Sequence, residues 1–100
     1  MTEQEARARL AGYRVKIDDV DRRIVELLNE RIGIVEEIGI VKRHANLPVY
    51  EPKREDQVFD NVHTSNHGPL SQDAVRRIFE RIIDESRSIQ RVWMQEDGEK

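Results

Sequence analysis

Between Leu10 and Val41, apolar residues recur at alternating steps of three and four: Leu10, Tyr13, Ile17, Val20, Ile24, Leu27, Ile34, Ile38 and Val41. Arg31 occupies the one place where that series turns polar. A stripe of this period predicts a long amphipathic helix from about residue 4 to about residue 44. No proline precedes Pro48, and only Gly12, Gly33 and Gly39 interrupt the stretch. A bend or break at Gly33 or Gly39 is the alternative. Asn46, Pro48 and Pro52 then break the pattern, so His44 to Glu51 reads as a connection. Pro52 suits the first position of a second helix, about 52 to 63, with Glu51 at or near its N-cap and Val58, Phe59 and Val62 on its apolar face. Thr64 to Leu70, with Ser65, Asn66, Gly68 and Pro69, reads as a loop. Ser71 caps a third helix, Asp73 sits in its first turn, and its stripe runs Val75, Ile78/Phe79, Ile82/Ile83, Ser86, Ile89/Gln90 and Trp93. No strand candidate is visible. The expected fold class is all-α, with one long, one short and one medium helix in a single domain over 1–100. Its core spans about 10–93, and its termini, including Gln95 to Lys100, fray.

Length sharpens this picture. A helix of 41 residues is roughly 60 Å long, whereas a compact domain of this size has a radius of gyration of about 13 Å. The helix would overhang its own domain, and a second copy is the obvious cover. The expectation is an intertwined homodimer. Charged residues make up 37% and aromatics 5%, which suits solvated helices rather than a large private core. The absence of cysteine argues against a disulfide scaffold and a zinc ribbon. With 17 basic and 20 acidic residues, the net charge of −3 makes nucleic acid a poor partner. No apolar run approaches 18 residues and no signal-peptide core is seen, so no membrane partner and a cytoplasmic location are expected.

The polar residues that interrupt apolar stripes carry the chemistry. A guanidinium at the Arg31 position must meet an anion; the plain alternative is an internal ion pair with a Glu. Lys42 follows 11 residues later, almost three full turns, about 16 Å along the axis on nearly the same face. Both long side chains can converge on one small anion. Arg54 is expected on the inward face at the start of the second helix, or alternatively in a surface ion pair. Arg14 lies about 25 Å before Arg31, so it reaches the same ligand only from an antiparallel partner; alternatively it is a solvated helix residue. Ser86 and Gln90 form an i, i+4 pair on the apolar face of the third helix, and their buried polar groups need partners. For Ser86 a local bond to a carbonyl would suffice. Glu51 and Glu55 near a helix N-terminus either favour the dipole or bind a ligand hydroxyl. Together these residues sketch a pocket for a small dianion bearing hydroxyl or ether oxygens. His63 and His67 have i, i+4 spacing, but Gly68 and Pro69 follow at once and no H-E-x-x-H pattern exists, so no metal is expected.

The run Tyr13-Arg14-Val15-Lys16-Ile17-Asp18, then Asp21, Leu27-Leu28, Arg31, Ile38-Gly39 and Lys42, resembles the all-helical chorismate mutases. So do Pro48-Val49-Tyr50-Glu51-Pro52-Lys53-Arg54-Glu55 and Ile82-Ile83-Asp84-Glu85-Ser86 followed by Gln90. The resemblance implies an intertwined dimer of three-helix subunits that rearranges chorismate to prephenate without a cofactor or covalent intermediate. It implies that Arg14 crosses from the partner chain to a substrate carboxylate. Arg31 is the main carboxylate clamp, with Arg54 beside the carboxylates and the ether bridge. Lys42 and Gln90 hydrogen-bond the breaking ether oxygen, Glu55 with Glu51 holds the ring hydroxyl, and Ser86 supports a carboxylate. Glu51 is a departure, since relatives often carry Asp. Two other enzyme or binding roles fit the same helices: an isochorismate–pyruvate lyase, and a non-enzymatic dimerisation or regulatory module.

Overall fold

The computed structural model describes residues 1–98, with side chains through Met94. Three helices account for most of it: α1 (Glu3–Ala45), α2 (Pro52–Ser65) and α3 (Gln72–Gly98). The described residues contain no strand. The long helix continues through both Gly33 and Gly39. The side chains of the tail expected to fray, from Gln95, lie outside the described residues. Two compact units divide the chain, Met1–Gly33 and Ile34–Lys100, and α1 contributes to both.

The first unit is helix alone. Thr2 caps it: its Oγ1 accepts from the Glu5 amide at 3.1 Å, and Glu3 and Glu5 bring negative charge to the first turn. Ion pairs such as Arg7 to Glu3, at 2.7 Å, lie along its surface. Exposed pairs of this kind are worth about 0–1 kcal/mol each. None of residues 1–30 is buried. The stripe residues Leu10, Tyr13, Ile17, Val20, Ile24 and Leu27 are 42–63% exposed. The apolar face that the periodicity predicted is therefore uncovered within one chain.

The second unit holds the core: Val35 from α1, Phe59 from α2, and Val75 and Ile83 from α3. Here the helical register corrects the expected stripe. Ile34, Ile38 and Val41 are exposed, whereas Val35, Gly39 and Lys42, one residue further on, are buried. One residue is 100° of helix rotation, so the end of α1 has two apolar faces. Its own chain uses the face containing a glycine and a lysine. Gly39 lies directly against α3: a Cβ there would meet Trp93 Cβ at 3.6 Å and Gln90 Cα at 3.7 Å, which is ordinary contact.

The chain leaves α1 through a tight reversal. Asn46 adopts a left-handed φ of 58°, the Leu47 amide donates to the Lys42 carbonyl at 2.8 Å, and the Asn46 amide donates to that of Arg43 at 3.3 Å. This pair of bonds is a Schellman ending. It folds residues 48–51 back toward the Lys42 side chain. Pro52 opens α2 as expected. The loop after α2 is laced by Asn66, which donates to the Leu70 carbonyl and to Gln72 Oε1, both at 3.0 Å, and by Gln72, which donates to the His63 carbonyl at 2.9 Å. Gly68 takes a φ of 81° there, a conformation glycine adopts without strain. Ser71 Oγ accepts from the Ala74 amide at 3.1 Å and caps α3, as its position predicted.

Candidate active site

Lys42, Ser86 and Gln90 are the buried polar or charged side chains of the described residues, at 7%, 6% and 8% exposure. Ser86 and Gln90 were singled out by their positions on the apolar stripe of the third helix, and Lys42 by its spacing from Arg31. An ammonium has three donors and no acceptor. Lys42 Nζ donates to Gln90 Oε1 at 2.9 Å and to the Val49 carbonyl at 3.2 Å, and pairs with Glu51 Oε1 at 2.8 Å. One side chain thus binds the end of α1, the reversed loop and α3 within the second unit. Because Lys42 can only donate, the Gln90 oxygen must face it. The amide NH2 of Gln90 is then the end presented elsewhere.

Glu51 does not cap α2 with its side chain. It turns to Lys42 instead, and its side chain remains 50% exposed against 9% for Lys42. Ser86 Oγ donates to the Ile82 carbonyl at 2.8 Å, the local bond anticipated for it, one turn before Gln90. Trp93 Nε1 donates to Glu36 Oε2 at 2.9 Å and its carbonyl accepts from Arg43 Nη1 at 3.3 Å, which seats α3 against the end of α1.

Arg54 departs from expectation. It is exposed, with Nη1 3.3 Å from Gln57 Oε1. On α2 the buried residue is Phe59, and the side chain one turn before Phe59 is Glu55, not Arg54. Glu55 accordingly turns inward and pairs with Arg87 of α3: Nε lies 3.1 Å from Oε2, and Nη2 donates to Oε1 at 3.5 Å. The Nε contact is off-line for a hydrogen bond, so it counts as an ion pair. Arg87 had no signal in the sequence, because its partner lies 32 residues away. Arg14 and Arg31 belong to the N-terminal unit, where Arg14 is exposed and Arg31 half-buried.

His63 lies in α2 and His67 beyond its end. Among the described residues no three His, Cys, Asp or Glu side chains gather as a metal site. None of the described helices is long and apolar enough to cross a membrane.

A buried ammonium beside a neutral amide donor, with a carboxylate to one side, can hold an oxygen that gains negative charge. It offers no activated nucleophile. Known proteins share this arrangement of helices and sequence. The family model for chorismate mutase type II matches residues 13–91. A bifunctional chorismate mutase/prephenate dehydratase of Aquifex aeolicus is 35% identical over 86 residues, which is 82% of this chain and 24% of that protein. The chain thus spans about a quarter of that relative's length. The structure of chorismate mutase from Thermus thermophilus superposes with a TM-score of 0.81 at 34% identity, covering 83% of this chain and 94% of that one. The chorismate mutase from Helicobacter pylori in complex with prephenate gives 0.82 at 25% identity, covering 89% and 97%. With four-fifths of its length matched by the family model and both folds coinciding, this chain belongs to the chorismate mutase type II family.

Proposed function

We propose that this chain converts chorismate to prephenate by a cofactor-free pericyclic rearrangement, with Lys42 and Gln90 at the ether oxygen. The observation that carries the reading is the buried Lys42–Gln90 hydrogen bond of 2.9 Å. It turns the Gln90 NH2 away from Lys42, which supports the reading of that group as a donor to a ligand oxygen. In the reaction the C–O bond of the ether breaks as a C–C bond forms, and no proton need move. Catalysis then consists of holding the substrate in its folded reactive conformer and stabilising charge on the departing oxygen. Lys42 supplies a fixed cation and Gln90 a neutral donor. Arg31 takes the carboxylates, with Arg54 reaching them from its exposed position at the start of α2; Ser86 supports one of them, and Glu55 accepts from the ring hydroxyl. Glu51 neutralises Lys42 until substrate arrives and joins Glu55 at the hydroxyl side.

The working unit is a homodimer in which Arg14 is contributed by the second copy. The uncovered stripe from Leu10 to Leu27 supports this, because most of a protein helix's stability comes from packing its amphipathic face rather than from propensity. The test is depletion of chorismate with appearance of prephenate by purified protein, alongside sedimentation. Lys42→Ala is expected to lower kcat by about 10²–10³-fold, the usual loss for one oxyanion donor. Salicylate and pyruvate from isochorismate, without prephenate from chorismate, would overturn the reading in favour of a lyase.

A further inference from the structure

Arg87 is a charged residue of the second unit to which the proposed chemistry gives no role, and its side chain meets partners on several sides. Its side chain is 29% exposed and meets Glu55, itself 21% exposed, across the α2–α3 contact. Nη2 donates to Oε1 at 3.5 Å and Nε lies 3.1 Å from Oε2 as an ion pair, so the guanidinium faces the carboxylate from one side. The guanidinium is in turn oriented by its neighbours. Nη2 donates to Asp84 Oδ1 at 3.1 Å, one turn back on α3, and the Tyr50 ring centroid lies 5.6 Å from Cζ. An anion on one side and an aromatic face on another leave the planar fork little rotational freedom. A carboxylate has about four lone-pair sites. A guanidinium held on one side of the carboxylate biases its orientation and leaves the remaining lone pairs directed elsewhere.

We propose that Arg87 is a positioning residue that sets the orientation of Glu55 toward the substrate's ring hydroxyl. This rests on the reading that Glu55 holds that hydroxyl. Arg87 itself does not touch substrate. Its contribution appears only through Glu55, which separates it from a residue that merely pins α2 to α3.

The experiment is a double-mutant cycle in kcat/KM for chorismate with Arg87→Met, Glu55→Gln and the double variant, each checked for helix content and thermal unfolding. Arg87→Met is expected to lower kcat/KM on the order of tenfold, a modest misplacement of one holding group. In the Glu55→Gln background it is expected to cost nothing further. Arg87→Lys keeps the charge but not the fork, and is expected to recover only part of the loss. Losses that multiply in the double variant, or an Arg87→Met protein with full activity beside an impaired Glu55→Gln, would overturn the inference about Arg87 alone. A fully active Glu55→Gln protein would instead overturn the underlying assignment of Glu55. Should Arg87→Met fail to fold, the same cycle is read with Arg87→Lys.

Discussion

Replacing Glu51 by Gln should improve substrate binding. All three donors of Lys42 are occupied, by the Val49 carbonyl, Gln90 and Glu51. A ligand oxygen must therefore displace one of them. Gln90 is buried and Val49 is backbone, whereas the Glu51 side chain is half in water and rehydrates readily when released. Ion pairs with one partner this exposed are worth about 0.2–1 kcal/mol. In Glu51→Gln a neutral oxygen can still fill the empty position, but the ligand competes with a weaker partner and faces one fewer negative charge. The expected result is a KM lower by about two- to fivefold, with kcat within about twofold of the parent. Steady-state kinetics over a range of ionic strength is the assay, and the gap should narrow as salt screens the pair. A KM raised tenfold or more would refute the reasoning, because it would mean that contact with the ring hydroxyl outweighs competition for Lys42.

Three further outcomes follow from the same geometry. Gln90→Glu still accepts from Lys42 but donates only when protonated, so its pH–rate profile should move to acid, and an unchanged profile would remove Gln90 from the ether oxygen. Ile24→Glu places an unpaired charge on the uncovered stripe, at a cost of several kcal/mol if that stripe is a buried seam, and sedimentation should then show a monomer without activity. Gly39→Ala should be tolerated and raise stability by about 0.5–1 kcal/mol through helix propensity, since its Cβ would meet Trp93 and Gln90 at ordinary contact distance. Gly39→Leu should instead destabilise by about 1–3 kcal/mol, measured by thermal unfolding.

The helices and their ends were legible because they depend on local chemistry. Pro52, Ser71 and the period of the long stripe each mark a boundary that the structure repeats within two residues, apart from the end of α3. Ser86 and Gln90 were legible for another reason: a polar side chain on an apolar face needs an explanation wherever it occurs, and Lys42 was legible through its three-turn spacing from Arg31. What periodicity could not resolve was which of two adjacent faces the chain buries. It favoured Ile34, Ile38 and Val41, and the chain buries Val35, Gly39 and Lys42. A count of apolar residues passes over a face that carries a glycine and a lysine. The Val49 carbonyl was hidden because it is backbone, brought to Lys42 by the left-handed turn at Asn46. Arg87 was hidden because its meaning lies in a pair across two helices. The inward expectation for Arg54 failed by one position of helical rotation, which hands the inner face to Glu55.

Trp93 is the only tryptophan of the chain. It follows Gln90 by three residues, packs beside Gly39 and anchors its indole N–H on Glu36. Its emission is therefore an unlabelled optical gauge of this end of the molecule. Any event that lifts α3 from the end of α1, or alters the carboxylate at its ring, should change both the intensity and the colour of that light. Ligand titration, thermal unfolding and the packing of Gly39 variants can all be followed through one fluorophore, a single helical turn from the amide that Lys42 orients.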